Sequence, residues 1–268
     1  MTKKLILCDV DSTLTMHHQP ITERTRKAIQ AIQAQGDLFG LASGRPVGAL
    51  KNMLQSWGIM DCDIIIGLNG AGLWDGLHQQ YHEYFLLKKE WCKEIVALME
   101  PFHCLVFKHI DGGILCTRAD HNIKTSSEMT RRFYRITEDL SDFYNEETPL
   151  LLFRTTDEMM PKIEAYVAEH PSPYYHAFKT QSDLIEFGDK NIKKAYALEK
   201  FCEYNNISLE DVIAFGDTTN DNDLLEISGT GVCMLNGSDD TKAIADAITD
   251  LPCAEDGWAD YIEKHILK

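Results

Sequence analysis

Apolar residues in this chain gather in short unbroken runs, with amphipathic stretches between them. Leu5-Ile6-Leu7-Cys8, Leu38-Phe39-Gly40-Leu41-Ala42, Ile64-Ile65-Ile66, Val212-Ile213-Ala214-Phe215 and Gly231-Val232-Cys233-Met234-Leu235 lack the alternation of a half-exposed strand. They read as strands buried on both faces, the signature of a parallel sheet covered by helices. Ile21-Thr22-Glu23 leads into Ala28, Ile29 and Ile32 at helical spacing, closed by Gly36. Pro46 suits the first turn of a helix with Val47, Leu50, Leu54 and Trp57 on one face and Gly58 as its stop. A later helix carries Ala195, Leu198, Phe201 and Cys202, and a last one runs through Ala243, Ile244, Ala247 and Ile248.

The rhythm changes in the middle. Residues 88–100 predict a helix broken by Pro101, followed by a strand pair, Leu105-Val106-Phe107 and Ile114-Leu115-Cys116, around Asp111-Gly112-Gly113. A polar stretch with helical character, a strand at 150–153, a helix at 157–169 and strands near 174–178 and 184–187 follow. The expected architecture is α/β: a doubly wound, Rossmann-like parallel-sheet core of residues 1–80 and 188–268, with an inserted mixed α+β domain at 81–187.

Charge narrows the function. The 268 residues carry 42 acidic and 26 basic side chains, a net charge of −16, which disfavours nucleic acid and anionic membranes as partners. An anionic substrate must then be drawn by a local cluster of cations. Eight scattered cysteines, with no Cys-x-x-Cys, read as free thiols in a reducing compartment. The apolar run after Lys3-Lys4 is too short for a targeting segment, and no run is long enough to span a bilayer, so a cytoplasmic location is expected. Nothing in the sequence specifies an oligomeric state.

Polar islands follow the apolar runs. Asp9-Val10-Asp11, Ser43-Gly44-Arg45 and Gly216-Asp217-Thr218-Thr219-Asn220-Asp221 each end one, and lysines cluster around Lys194. An isolated Asp-x-Asp is usually a solvated turn. Four islands in order, collected at the carboxyl edge of a sheet, read as one site. Asp9, Asp11, Asp217 and Asp221 bring more negative charge than a dry crevice tolerates without a counter-ion, and oxygen ligands without Cys or His favour Mg²⁺. The Ser43 hydroxyl, the Gly44 N–H, the Lys194 ammonium and the Asn220 amide suit a tetrahedral anion, so the parts fit phosphoryl transfer. Either aspartate of the first pair suits the nucleophile, with its neighbour as general acid and base.

Asp9-Val10-Asp11-Ser12-Thr13-Leu14, Ser43-Gly44-Arg45, Lys194 and Gly216 through Asp221 resemble the four motifs of the haloacid dehalogenase superfamily of phosphatases. The insertion between the second and third motifs, with Asn69-Gly70-Ala71, Gly231-Val232-Cys233-Met234-Leu235-Asn236 and Glu255-Asp256-Gly257, resembles the Cof-type branch, subfamily IIB, with its larger C2 cap. The resemblance is close over both halves of the core and covers the insertion in layout. It implies that Asp9 attacks phosphorus to give an aspartyl-phosphate, while Asp11 protonates the leaving alcohol and then activates water. It implies Mg²⁺ held by the Asp9 side chain, the Asp11 carbonyl and Asp217, with Asp221 ligating directly or through water. Ser43, Gly44, Lys194, Asn220 and the Val10 backbone would grip the phosphoryl group, and the cap would open and close over it. Ser12 departs from the family's usual glycine, as do Asn191 and Ala195 around the third motif; Asn191 tolerates the left-handed backbone a glycine would adopt. Lys194 aligns with the family lysine ahead of Lys193 and Lys190.

The expected activity is therefore Mg²⁺-dependent hydrolysis of a small phosphorylated metabolite, a sugar phosphate by preference. A sugar phosphomutase is an alternative, and so is a phosphosugar-binding regulator without turnover, although binding alone needs no general acid such as Asp11. Arg45 is placed either to reach the leaving group or to brace the carboxylates. His17-His18 read as a solvated loop pair, and Asp111, Arg118 and His121 as surface residues of the inserted domain.

Overall fold

In this computed structural model, which describes residues 3–17 and 19–267, the chain forms two compact units, Met1–His82 with Lys193–Lys268, and Glu83–Ile192. The elements run β1 (Leu5–Cys8), α1 (Glu23–Ala34), β2 (Leu38–Ala42), α2 (Val47–Ser56), β3 (Ile64–Gly67), β4 (Gly72–Asp75) and β5 (Gln80–Glu83). Next come α3 (Lys89–Met99), β6 (Leu105–Ile110), β7 (Gly113–Cys116), α4 (His121–Thr130), β8 (Phe133–Ile136), β9 (Leu150–Arg154), α5 (Met160–Ala168), β10 (Tyr175–Gln181) and β11 (Leu184–Asp189). The chain closes with α6 (Lys194–Asn205), β12 (Val212–Gly216), α7 (Asn222–Ile227), β13 (Thr230–Cys233), α8 (Asp239–Ile244), β14 (Ala247–Ile248) and α9 (Gly257–His265).

The first unit is the doubly wound sheet, in the order β14-β13-β12-β1-β2-β3-β4-β5. The pairs from β14 to β3 are parallel, and β4 turns back antiparallel on β3. The unbroken apolar runs are buried because helices lie on both faces. Ile6, Cys8, Phe39, Leu41, Ile65 and Phe215 point to the side of α1, α2 and α9, where buried Trp258 meets Phe39 and Phe215 edge-on at 6.1 and 6.0 Å. On the opposite side α6 packs on β3 and β4, and α7 on β12 and β13. Helix α1 starts where the Thr22 side chain accepts the Thr25 N–H, and it stops before Gly36 at φ +90°.

The expected last helix is cut short. Ala245 adopts an extended backbone after Ile244, and Asp246 pins the chain to β13, its N–H donating to the Gly231 carbonyl and its carboxylate accepting the Gly231 N–H. Ala247 and Ile248 therefore form edge strand β14. Pro46 stands at the N-cap of α2, one place before its first turn. The eight cysteines are free thiols, seven of them buried.

The second unit is α+β. Its sheet, in the order β10-β11-β9-β6-β7-β8, is antiparallel except for β7 beside β8. Helices α3 and α5 cover one face through Ile95, Met99, Met160 and Ile163, packed on Val106, Leu151, Phe153 and Phe187. Strand β8, a short edge strand within the polar stretch, exposes all four of its residues, Phe133, Tyr134 and Ile136 included.

Candidate active site

From β1 the chain moves to β2 on one side, and it returns much later as β12 on the other. That reversal opens a crevice beyond the carboxyl ends of these strands. The final rungs of the sheet place its residues. The Asp9 N–H donates to the Phe215 carbonyl and the Ser43 N–H to the Ile66 carbonyl, each at 2.9 Å. Asp217 follows the last residue of β12 directly.

Asp9, Asp217 and Asp221 each offer a carboxylate oxygen within 4.8 Å of the others, and all three are buried. Lys194, the first residue of α6 and itself buried, donates from Nζ to Asp9 Oδ1 at 2.7 Å and to Asp221 Oδ1 at 2.6 Å. The other Asp221 oxygen accepts the N–H groups of Asp217 and Thr218 at 3.0 and 3.3 Å. This fold-back needs a glycine at 216, where a Cβ would lie 2.4 Å from the Asp221 Cβ. Thr13, fully buried, donates to Asp217 Oδ1 at 2.9 Å. Sequence reasoning passed over Thr13; its place in the first loop was the available signal.

Three carboxylates facing one ammonium leave an excess of negative charge. Burial, with Asp221 beside it, pushes the Asp217 carboxyl up to about 7. Burial also raises the Asp9 carboxyl well above the usual carboxylate range, against the pull of Lys194. Burial disfavours the Lys194 ammonium, but the attraction of Asp221 and Asp9 outweighs it and keeps the lysine charged. An all-oxygen donor set with surplus negative charge fits a hard divalent cation.

The Asp11 carboxylate lies apart from this trio. It receives Arg45 through two bonds of 2.9 Å, and His17 Nδ1 lies 2.9 Å from its Oδ1. Burial acts to raise the Asp11 carboxyl, but hydrogen bonding with His17 and the Arg45 charge overcome it and hold the group well below the ordinary range. Arg45 thus takes the bracing position of the two open to it. His17 is exposed, as expected of a loop residue, and also contacts Asp11, while His18 lies outside the described residues. The loop turns at Ser12, whose φ of +65° occupies the left-handed region where the family's glycine was expected. The Val10 side chain is sunk in the apolar cluster and its carbonyl accepts the Leu14 and Thr15 N–H groups. Asn236 ties the loop down by donating to the Ser12 carbonyl at 2.9 Å while accepting the Cys253 N–H at 2.7 Å.

The anion donors come from neighbouring elements. Buried Ser43 and half-buried Gly44 lie between β2 and α2, and the Ser43 hydroxyl accepts the Arg45 N–H at 3.3 Å. Asn220 is exposed; its Oδ1 accepts the Thr218 hydroxyl at 2.7 Å, and its Nδ2 lies 3.4 Å from Asn69 Oδ1. The first unit therefore carries Asp9, Asp11, Ser43, Lys194, Asp217, Asn220 and Asp221 at one sheet edge. Asp111, Arg118 and His121 belong to the second unit.

A family model described as haloacid dehalogenase-like hydrolase matches residues 6–262. A putative phosphatase of Bacillus subtilis, YkrA, is 32% identical, covering 97% of this chain and 96% of its own. Another B. subtilis protein, the 5-amino-6-(5-phospho-D-ribitylamino)uracil phosphatase YitU, is 27% identical and covers 97% of each chain. A solved haloacid dehalogenase-like hydrolase from Bacteroides thetaiotaomicron superposes with a TM-score of 0.85 at 25% identity, covering 98% of this chain and 99% of that one.

Proposed function

The chain belongs to the haloacid dehalogenase-like hydrolases, in their Cof-type branch, and is a phosphatase; from that premise we propose that it hydrolyses a small phosphorylated metabolite, a sugar or sugar-alcohol phosphate, with Mg²⁺ and an aspartyl-phosphate intermediate. The observation that carries this reading is the buried trio Asp9, Asp217 and Asp221, in which a single ammonium, Lys194, bonds Asp9 and Asp221. The ribityl phosphate in the name of one relative supports a polyol-like leaving group.

Asp9 and Asp217 would hold the metal directly, with the Asp11 carbonyl. Asp221, already bonded through both oxygens, would act through water and by holding Lys194 in place. When bound, Mg²⁺ would offset the negative charge of carboxylate and phosphate. Asp9 attacks phosphorus and the P–O bond to the leaving alcohol breaks, with Asp11 supplying the proton. Asp11, ionised again, then takes a proton from water as that water attacks the aspartyl-phosphate, releasing phosphate and regenerating Asp9. Lys194, Ser43, Asn220 and the N–H groups of Val10 and Gly44 stabilise the charge on the transferring group. The Arg45 clamp keeps Asp11 in its proton-accepting form, so Asp11 must leave the clamp to become the acid.

Asp9→Asn tests the reading. Phosphate release from an aryl phosphate with Mg²⁺ is expected to vanish while the thermal midpoint holds; retained turnover would overturn Asp9 as nucleophile. A positional isomer of a sugar phosphate formed without free phosphate would instead favour the mutase.

A further inference from the structure

Leu68, Asn69 and Gly70, just after β3, have φ values of +53°, +55° and +108°, three left-handed residues in a row. Leucine is disfavoured there, and such strain persists only where the surroundings impose it. The surroundings are three of the four stretches that build the site. The Leu68 N–H donates to the Arg45 carbonyl at 3.0 Å and the Asn69 N–H to the Ser43 carbonyl at 3.1 Å. The Asn69 amide lies over Gly44, its Nδ2 only 3.3 Å from where a Cβ would stand. Gly70 abuts the start of α6 so closely that a Cβ would fall 2.0 Å from the Lys193 carbonyl oxygen. On the remaining side Asn220 Nδ2 approaches Asn69 Oδ1 at 3.4 Å.

Asn69 is itself buried, 6% exposed, and its Nδ2 has no hydrogen-bond partner among the described residues. A buried amide kept under that cost, where an apolar side chain would fill the space, marks a positional demand. We propose that Asn69 is a positioning residue for phosphoryl transfer, aiming the Asn220 amide at the oxygens of the transferring group. The inference rests on the phosphatase reading above. Asn220 is exposed, and it is fixed at two points, its Oδ1 by Thr218 and its Nδ2 by Asn69. With one Nδ2 hydrogen turned toward Asn69, the other is directed to the anion. Asparagine suits the position because it tolerates the left-handed backbone and offers a planar acceptor.

The test compares wild type, Asn69→Gly, Asn220→Ala and the double variant on an aryl phosphate with Mg²⁺. Glycine removes the amide and leaves the left-handed backbone unstrained. Expected are a fall in kcat of about 10- to 100-fold for Asn69→Gly, a much smaller change in KM, and an unchanged thermal midpoint. The double variant should be within about twofold of Asn220→Ala, because the two residues act as a unit. Wild-type kcat in Asn69→Gly, or losses that multiply in the double variant, would overturn the inference alone. No effect of Asn220→Ala would overturn the site reading and this inference with it. Asn69→Ala, read by the same comparison, decides the matter should the glycine variant not fold.

Discussion

Arg45 forks onto Asp11, its Nε meeting Oδ2 and its Nη2 meeting Oδ1 at 2.9 Å each. The pair joins the loop after β1 to the loop after β2, and it is more than half buried at both ends. Arg45→Met should cost about 1–2 kcal/mol near neutral pH, since Asp11 keeps its charge but loses two charge-assisted bonds. The Asp11 carboxyl is depressed in the folded chain, so this contribution is complete above the unfolded value of about 4 and fades as the pH falls below it. Urea midpoints of wild type and variant should therefore differ at pH 7, and the gap should close only in stronger acid, as the pH falls from about 3 through the depressed folded value of Asp11.

Lys194→Met removes the ammonium between Asp9 and Asp221. An uncompensated buried charge typically costs about 3–5 kcal/mol. In chelator the variant should melt well below wild type, and millimolar Mg²⁺ should raise its midpoint by more than it raises that of wild type. Equal shifts in both would show that the ammonium does not offset the carboxylate trio.

Glu186 gives the second unit a pH dependence of opposite sign. Burial raises its carboxyl from 4.5 to about 7, against a 2.8 Å bond from the Thr180 hydroxyl and the Arg154 charge. A raised folded value stabilises below about pH 4.5, and that contribution is lost as the pH climbs through about 7. Glu186→Gln mimics the protonated form. It should match wild type near pH 4 and exceed it by about 2–3 kcal/mol at pH 8, read from chemical denaturation at the two values.

Ser12 holds a left-handed conformation at φ +65°, where a Cβ is penalised. Ser12→Gly should stabilise the chain by about 0.5–1 kcal/mol after the entropy gained by the unfolded state is subtracted. The turnover number should not move, because the carbonyl bonded to Asn236 is retained.

The central strands were legible because burial on both faces demands apolar residues at every position, and the site was legible because its residues end those runs. Edge strands β5 and β8 pair through the backbone with their side chains largely in water, so Gln80–Glu83 carried no apolar pattern, and the four residues Phe133–Ile136, though mostly apolar, were too short a run to stand out from the polar stretch around them. The choice open for Arg45 needed distances. Asn69 was visible only as a feature of the Cof-type branch; its ties to Ser43 and Asn220 appear once β3, β2 and β12 lie in one sheet. Some signature residues have a structural reason instead: Asp256, at φ +59°, accepts the Thr22 hydroxyl at 2.7 Å where α1 begins.

The carboxylate trio is assembled by the chain's own N–H groups, by Thr13 and by the bare Gly216. Repulsion is thus built into the tip of the sheet during folding and persists until a cation relieves it. Amide protons of the loops at 9–15 and 217–222 should exchange faster when divalent ions are scarce. The survival of the protein among proteases would then follow the ionic supply around it as well as its intrinsic fold strength.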